Sequence, residues 1–356
     1  MDHPAQLGGG AVNFEPKGWC PGALRPMPSG DGLLVRVRPW CSSFKLDQAA
    51  GLADIAGRLG NGRMDLTRRA NLQIRGVREH SLPELHEALD RLDLLDPDPA
   101  TEAARNVMVG PLAGPQTRAL AMALTDAIAA DRRLAALPPK FGWLVDDAGA
   151  PTIVDQPANI ALCLTDEGVA LRHGERWLGL AAREEAVAAS LALARGHRPI
   201  LSPLEEVPVA RPRPAGVTPP FGGLQTFQLS GLAELAAKAG GREIRLSPWR
   251  ALYCDFPTAG ARQLGFIVDA DDPLLRIEAC RGAPACSSST VDTRDVALRL
   301  SARGFAGTIH VSGCIKGCAL SAPADLVLVG EGGRFRVIRN GTARDAAERI
   351  VVPEDL

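Results

Sequence analysis

Apolar positions along the chain change period several times, and each change predicts an element. Leu33-Leu34-Val35-Arg36-Val37-Arg38 alternates toward its end and predicts a strand. Leu52, Ile55, Ala56 and Leu59 share one helical face, which predicts a helix from about Leu46 to Leu59. Gly60-Asn61-Gly62 stops it. Met64 to Gly76 reads as a second strand, and Pro83 to about Leu92 as a second helix.

The same pattern returns later. Leu52-Ala-Asp-Ile-Ala56 matches Leu232-Ala-Glu-Leu-Ala236, Leu66-Thr67 matches Leu246-Ser247, and Leu72 matches Leu252, all at an offset of 180 positions. A strand–helix–strand unit is therefore repeated. Between the copies, Arg211 to Gly223 is rich in Pro and Gly and reads as a linker. The regions after the two copies also share a spacing. Arg105 and Lys140 stand 35 residues apart, as do Arg281 and Lys316, which suggests a second repeated region.

Composition narrows the class. The 356 residues are 46% apolar and 23% charged with a net charge of −1, so no basic field argues for nucleic acid. Met1–Gly18 has neither the basic nor the apolar region of a signal peptide, and no apolar run reaches membrane-spanning length. A cytoplasmic protein with reduced thiols, no membrane and no nucleic-acid partner is expected. Of 40 cationic residues only five are lysines; codon bias in a high-GC genome accounts for most of that excess, although arginine forks are also the better grip for carboxylates.

Four of the eight cysteines form Cys280-Arg-Gly-Ala-Pro-Ala-Cys286 and Cys314-Ile-Lys-Gly-Cys318. A [4Fe–4S] cluster needs four thiolates converging from short loops of small residues. Gly282, Ala283, Ala285, Gly313, Gly317 and Ala319 meet that need. A structural zinc site or a disulfide framework are the alternatives; spacing and loop composition together favour the cluster. Cys20, Cys41, Cys163 and Cys254 read as small packing residues, Cys20 standing apart from the others because it lies in a Gly/Pro-rich motif, and His310 reads as a strand histidine.

Two further motifs carry polar chemistry. If Met64–Gly76 is one strand, Arg69, Asn71, Gln73 and Arg75 share a face, forming either a cationic wall or a solvated sheet edge. Ala104-Arg-Asn-Val-Met-Val-Gly-Pro-Leu-Ala-Gly114 is an apolar turn with Arg105 at its mouth, or an ordinary helix entry.

Together with the cysteines, these motifs resemble the sulfite and nitrite reductase superfamily over most of the chain. The shared elements are Leu66-Thr-Arg-Arg69, Arg105-Asn106, Leu137-Pro-Pro-Lys140-Phe141 and the two cysteine pairs. The resemblance implies that Cys280, Cys286, Cys314 and Cys318 ligate a [4Fe–4S] cluster, Cys318 being the position that also bridges to sirohaem iron. It places Arg69, Arg105 and Lys140 among the cationic site positions. The chain departs from the pattern at Gly142, where the family has a second lysine, and at Ala70, where it has Gln.

The stretch Gly18-Trp-Cys-Pro-Gly-Ala-Leu-Arg-Pro-Met-Pro to Pro39 resembles the precorrin-3B synthase branch. That resemblance implies O2-dependent hydroxylation of precorrin-3A at C-20 with γ-lactone formation in aerobic cobalamin synthesis. Arg69, Arg105, Lys140, Asn71, Gln73 and Arg75 are the expected substrate contacts. Electrons would come from NADH through a separate reductase, or from a ferredoxin or flavodoxin. A second, mononuclear non-haem iron is an additional candidate with no ligands assigned. A sirohaem-dependent reductase, and a non-catalytic tetrapyrrole-binding or electron-transfer protein, are the alternatives.

The expected fold is α+β, with two pseudo-symmetric halves, each a ferredoxin-like strand–helix–strand unit followed by an α/β domain. The expected segments are an arm (1–18), a first ferredoxin-like half-domain (19–95) and a cluster-less α/β domain (96–210). A linker (211–223), a second ferredoxin-like half-domain (224–270) and a cluster-bearing α/β domain (271–356) complete the chain.

Overall fold

The computed structural model describes residues 19–148, 153–211, 215–254 and 258–356. The expected arm and residues 212–214 of the linker lie outside them. The described chain forms two compact units, one of Gly18–Met27 and Leu33–Val268, the other including Pro28–Gly32 and Asp269–Leu356.

The larger unit contains the strand–helix–strand repeat. Strand Ser43–Lys45, helix Leu46–Arg58 and strand Arg63–Leu66 have counterparts in Gly223–Gln225, Thr226–Lys238 and Glu243–Leu246, each at an offset of 180. Even the helix starts match. Gln48 accepts from the Lys45 N–H, and Gln228 from the Gln225 N–H, at 2.9 Å in both. Each closes an orphan donor at a helix entry. Leu52, Ile55 and Ala56 on one helix, and Leu229, Leu232 and Ala236 on the other, are buried, and the two helices pack together.

The two copies exchange strands. Ser43–Lys45 of the first pairs antiparallel with Glu243–Arg245 of the second, and Gly223–Gln225 of the second pairs with Arg63–Asp65 of the first. The registers Phe44↔Ile244 and Leu224↔Met64 are equivalent under the offset, so the pairing has a local two-fold symmetry.

The expected single strand from Met64 to Gly76 is corrected. Strands Arg63–Leu66 and Leu72–Val77 form an antiparallel hairpin with Leu66 opposite Leu72. The Thr67 hydroxyl accepts from the Arg69 and Asn71 N–H groups, and Ala70 takes a left-handed φ of 51°, which reverses the chain. Arg69 and Asn71 therefore sit in the turn, while Gln73 and Arg75 remain on the strand.

Two sheets of one topology complete the architecture. In the first, Val107–Val109, Trp143–Asp147 and Ile160–Leu164 run parallel, and Val169–His173 and Arg176–Ala181 add antiparallel. In the second, Ile277–Ala279, Ile309–Ser312 and Ala324–Glu331 are parallel, and Arg334–Gly341 and Arg349–Val351 antiparallel. A helix links the first two strands each time, Pro115–Ala130 and Thr293–Ala302. The central parallel strands are largely apolar because both faces are buried.

The equal spacing of Arg105/Lys140 and Arg281/Lys316 does not mark equivalent positions. Arg105 precedes its strand and Arg281 follows its own; Lys140 precedes Trp143–Asp147, while Lys316 follows Ile309–Ser312. The true correspondence is in the backbone. Gly110 N–H donates to the Val145 carbonyl at 3.0 Å, and Cys280 N–H to the Val311 carbonyl at 3.1 Å. No helix among the described residues is long and apolar enough to cross a membrane.

Candidate functional site: a four-thiol cradle and a cationic turn

The four motif cysteines gather at the carboxyl ends of the parallel strands in the smaller unit. Cys280 follows Ile277–Ala279, and Cys314 lies two residues beyond Ser312. Cys286 N–H donates to the Gly282 carbonyl at 2.9 Å, tightening the first loop. The Thr293 hydroxyl, at the start of the adjoining helix, donates to the Cys280 carbonyl at 2.7 Å. Gly313 N–H donates to the Cys280 sulfur at 3.1 Å. A side chain at Gly313 would stand 2.2 Å from the Ser289 Oγ and 3.4 Å from that sulfur, so the close loop approach requires glycine.

None of the eight cysteines is joined to another by a disulfide. Burial pushes the Cys318 thiol up to about 11; Lys316 opposes this, and Cys280, Cys314 and Cys286 add to it. Cys314 is also raised by burial, opposed by the Lys316 N–H, with Cys286 and Cys280 adding to the rise. Four thiols close enough to repel one another as thiolates form a donor set that a cationic iron–sulfur core would complete. Among the described residues no three His, Cys, Asp or Glu side chains converge on a single metal ion. A cube assigns each thiolate its own iron, so its ligands stand further apart than those of one ion. The same finding leaves the expected mononuclear iron without a ligand set among the described residues. His310 is fully buried on its strand.

The cationic residues of the larger unit fall into two groups. Arg105 is 3% exposed; it holds Asp96 through two hydrogen bonds and donates to the Arg38 carbonyl at 2.9 Å. Its guanidinium lies 3.9 Å from the centre of the Trp40 ring. Arg75, also buried, pairs with Asp65 at 3.3 Å. Arg38 is buried against Glu102. Gln73 accepts from the opposing Arg36 at 2.7 and 3.2 Å. These side chains serve the hairpin and the sheet.

Arg69 and Lys140 are different. Arg69 is half-buried, and its guanidinium meets the Lys140 carbonyl at 3.3 Å, with no carboxylate beside it among the described residues. Burial lowers its pKa, while nearby Cys20 raises it. The Lys140 side chain is exposed. Asn71, in the same turn, is 4% exposed with its amide nitrogen unbonded.

Two neighbours of Arg69 were missed by sequence reasoning. Arg36, its pKa down to about 10, is desolvated by burial; Cys20 beside it opposes the shift and bonds its side chain, and Arg38 and Arg69 add repulsion. The alternation of Leu33–Arg38 puts Arg36 and Arg38 on one face, and that was the available signal. Cys20 could be reached only through the fold, which ties Gly22 to Arg36 by a 3.1 Å backbone bond.

Comparison with known proteins agrees with this architecture. The family model for the nitrite/sulfite reductase ferredoxin-like half domain matches residues 25–92. A precorrin-3B synthase from Sinorhizobium sp. is 30% identical over 400 residues, covering 94% of this chain and 85% of that protein. The structure of Mycobacterium tuberculosis NirA superposes with a TM-score of 0.71 at 18% identity, covering 91% of this chain and 78% of that one. That likeness concerns the fold. The chain belongs to the precorrin-3B synthase branch of the sulfite/nitrite reductase superfamily.

Proposed function

We propose that this protein is a precorrin-3B synthase, an iron–sulfur monooxygenase that hydroxylates precorrin-3A at C-20 with O2 and forms the γ-lactone from the ring A acetate. The observation that carries the reading is that one chain, 30% identical to a precorrin-3B synthase, holds both a four-thiol cradle and, at Arg69, a guanidinium with no carboxylate beside it among the described residues. The substrate is a methylated uroporphyrinoid with eight carboxylate arms. Arg69 supplies a fork for one arm and Lys140 a mobile ammonium for another. Arg75, Gln73 and Arg105 hold that face in shape through Asp65, Arg36 and Asp96, and Asn71 keeps a buried amide donor in the turn beside Arg69.

Cys280, Cys286, Cys314 and Cys318 would hold a [4Fe–4S] cluster, which supplies single electrons. Monooxygenation places one atom of O2 in the product and releases the other as water, consuming two electrons and two protons. An external donor is required, either NADH through a reductase or a ferredoxin or flavodoxin. Eight cysteines with no disulfide among them suit a reducing, cytoplasmic setting.

The test is turnover of precorrin-3A under 18O2 with an electron donor. One labelled oxygen in a lactone product is expected; an unlabelled or unchanged tetrapyrrole would overturn the reading. The match to the reductase half domain favours one alternative, a sirohaem-dependent sulfite or nitrite reductase. Extraction of one equivalent of sirohaem per chain would establish it in place of the synthase. Tight tetrapyrrole binding without turnover would leave a binding or electron-transfer protein.

A further inference from the structure

Gly142 opens the strand Trp143–Asp147, and its backbone is held on both sides. Its N–H donates to the Asn159 Oδ1 at 2.9 Å, and its carbonyl accepts from the Asn159 N–H at 2.8 Å. A Cβ at this position would stand 2.2 Å from the Arg69 Nη1, 3.3 Å from the Arg69 Cζ and 3.3 Å from the Asn106 Nδ2. No backbone atom is among those neighbours. The Arg69 guanidinium thus occupies the space of the missing side chain, while its other nitrogen donates to the Lys140 carbonyl two residues earlier.

We propose that Gly142 is a positioning residue whose absent side chain seats the Arg69 fork in the orientation that receives a tetrapyrrole carboxylate. The inference rests on the reading of Arg69 given above. A bidentate arginine–carboxylate pair needs the guanidinium plane held in place. An unseated arginine samples many rotamers, and ordering it on binding weakens affinity. With the Gly142 backbone pinned, a side chain there can be accommodated only by moving the guanidinium. The seat therefore sets both where the fork stands and how much freedom it loses when the carboxylate arrives.

The probe is uroporphyrin III, an octacarboxylate whose fluorescence reports binding to the full-length protein. Arg69→Ala is expected to raise its Kd roughly ten-fold or more, the size of one lost charge-assisted pair. Gly142→Ala is expected to give about the same increase, and the Gly142→Ala/Arg69→Ala double variant no further loss. In an Arg69→Lys background Gly142→Ala should change nothing, because a compact ammonium needs no planar seat. A merely structural role for Gly142 would not depend on residue 69 in this way.

Parent-like binding by Gly142→Ala, with Arg69→Ala weakened, overturns the seat and leaves the cationic turn standing. Parent-like binding by Arg69→Ala overturns the reading of the turn, and the seat with it. Should Gly142→Ala alone fail to fold, the double variant must fold, since the clash is with Arg69. A double variant that also fails overturns the proposal.

Discussion

The Arg105 guanidinium grips the Asp96 carboxylate edge-on, Nε to Oδ1 at 2.6 Å and Nη2 to Oδ2 at 2.7 Å, both side chains at most 3% exposed. A pair this buried is committed to architecture. Truncating one partner leaves a charge in a low-dielectric interior with nothing to offset it, a loss of about 3–5 kcal/mol. Asp96→Ala should accordingly shift the urea midpoint of the larger unit far down, and Arg105→Ala should do the same. An Asp96→Ala protein with the parent's midpoint would refute the assignment.

The cysteine quartet predicts a sharp division among eight thiols. Cys286→Ser, or the same change at Cys280, Cys314 or Cys318, should remove most iron and acid-labile sulfide. It should also loosen the smaller unit, because cluster binding is coupled to folding. Cys163→Ser should keep the cluster, since Cys163 is a packing residue on a buried strand whose thiol burial pushes up to about 12. Iron and sulfide analysis of the two variants decides the matter; full iron in Cys286→Ser would contradict the quartet.

Asp146 predicts a dependence on pH. Its carboxyl is 1% exposed, accepts from the Ile153 N–H, and is pushed up to about 7 by burial, with Asp147 and Asp155 adding smaller repulsions. Between the ordinary carboxylate value near 4 and about 7, the unfolded chain has lost this proton while the folded one keeps it. Stability should therefore fall as pH rises through that window and level off above it, by a few kcal/mol at most. Asp146→Asn, which cannot ionise, should flatten the slope. Chemical denaturation of both proteins from about pH 4 to about pH 8 checks this, and parallel profiles would count against it.

Lys140 predicts a modest, salt-dependent effect. Its side chain is exposed, so Lys140→Ala should weaken uroporphyrin III binding less than Arg69→Ala does, and the difference from the parent should shrink as salt is added. Titrations at low and high ionic strength measure it. An effect that grows with salt would rule out a simple charge contact.

Much of the fold was legible because apolar periodicity and capping are local. Helix Leu46–Arg58 and its copy follow from their buried stripes, and the offset of 180 extends to details no pattern displays. Ala70 and Arg250, for example, both adopt left-handed φ values, 51° and 59°. The hairpin turn was illegible for a physical reason. The apolar positions keep one phase on both sides of the turn, at Met64, Leu66, Ala70, Leu72 and Ile74, and the reversal depends on the Thr67 hydroxyl and a left-handed alanine, with no Gly or Pro to mark it. In the site, the coming together of the four cysteines was legible in their spacing. Arginine roles were not, because Arg69 and Arg105 differ only in what folds beside them: the Lys140 carbonyl for one, a buried aspartate for the other.

The exchanged strands have a consequence for how the molecule is made. Among the described residues Ser43–Lys45 pairs only with Glu243–Arg245, so the amino-terminal portion emerging from the ribosome carries an unfilled edge until the second copy has been synthesised. Each repeat completes the other's sheet, as two subunits of a strand-swapped dimer would. A polypeptide severed in the Pro-rich connection should yield two pieces that are each incomplete in isolation and reassemble when mixed.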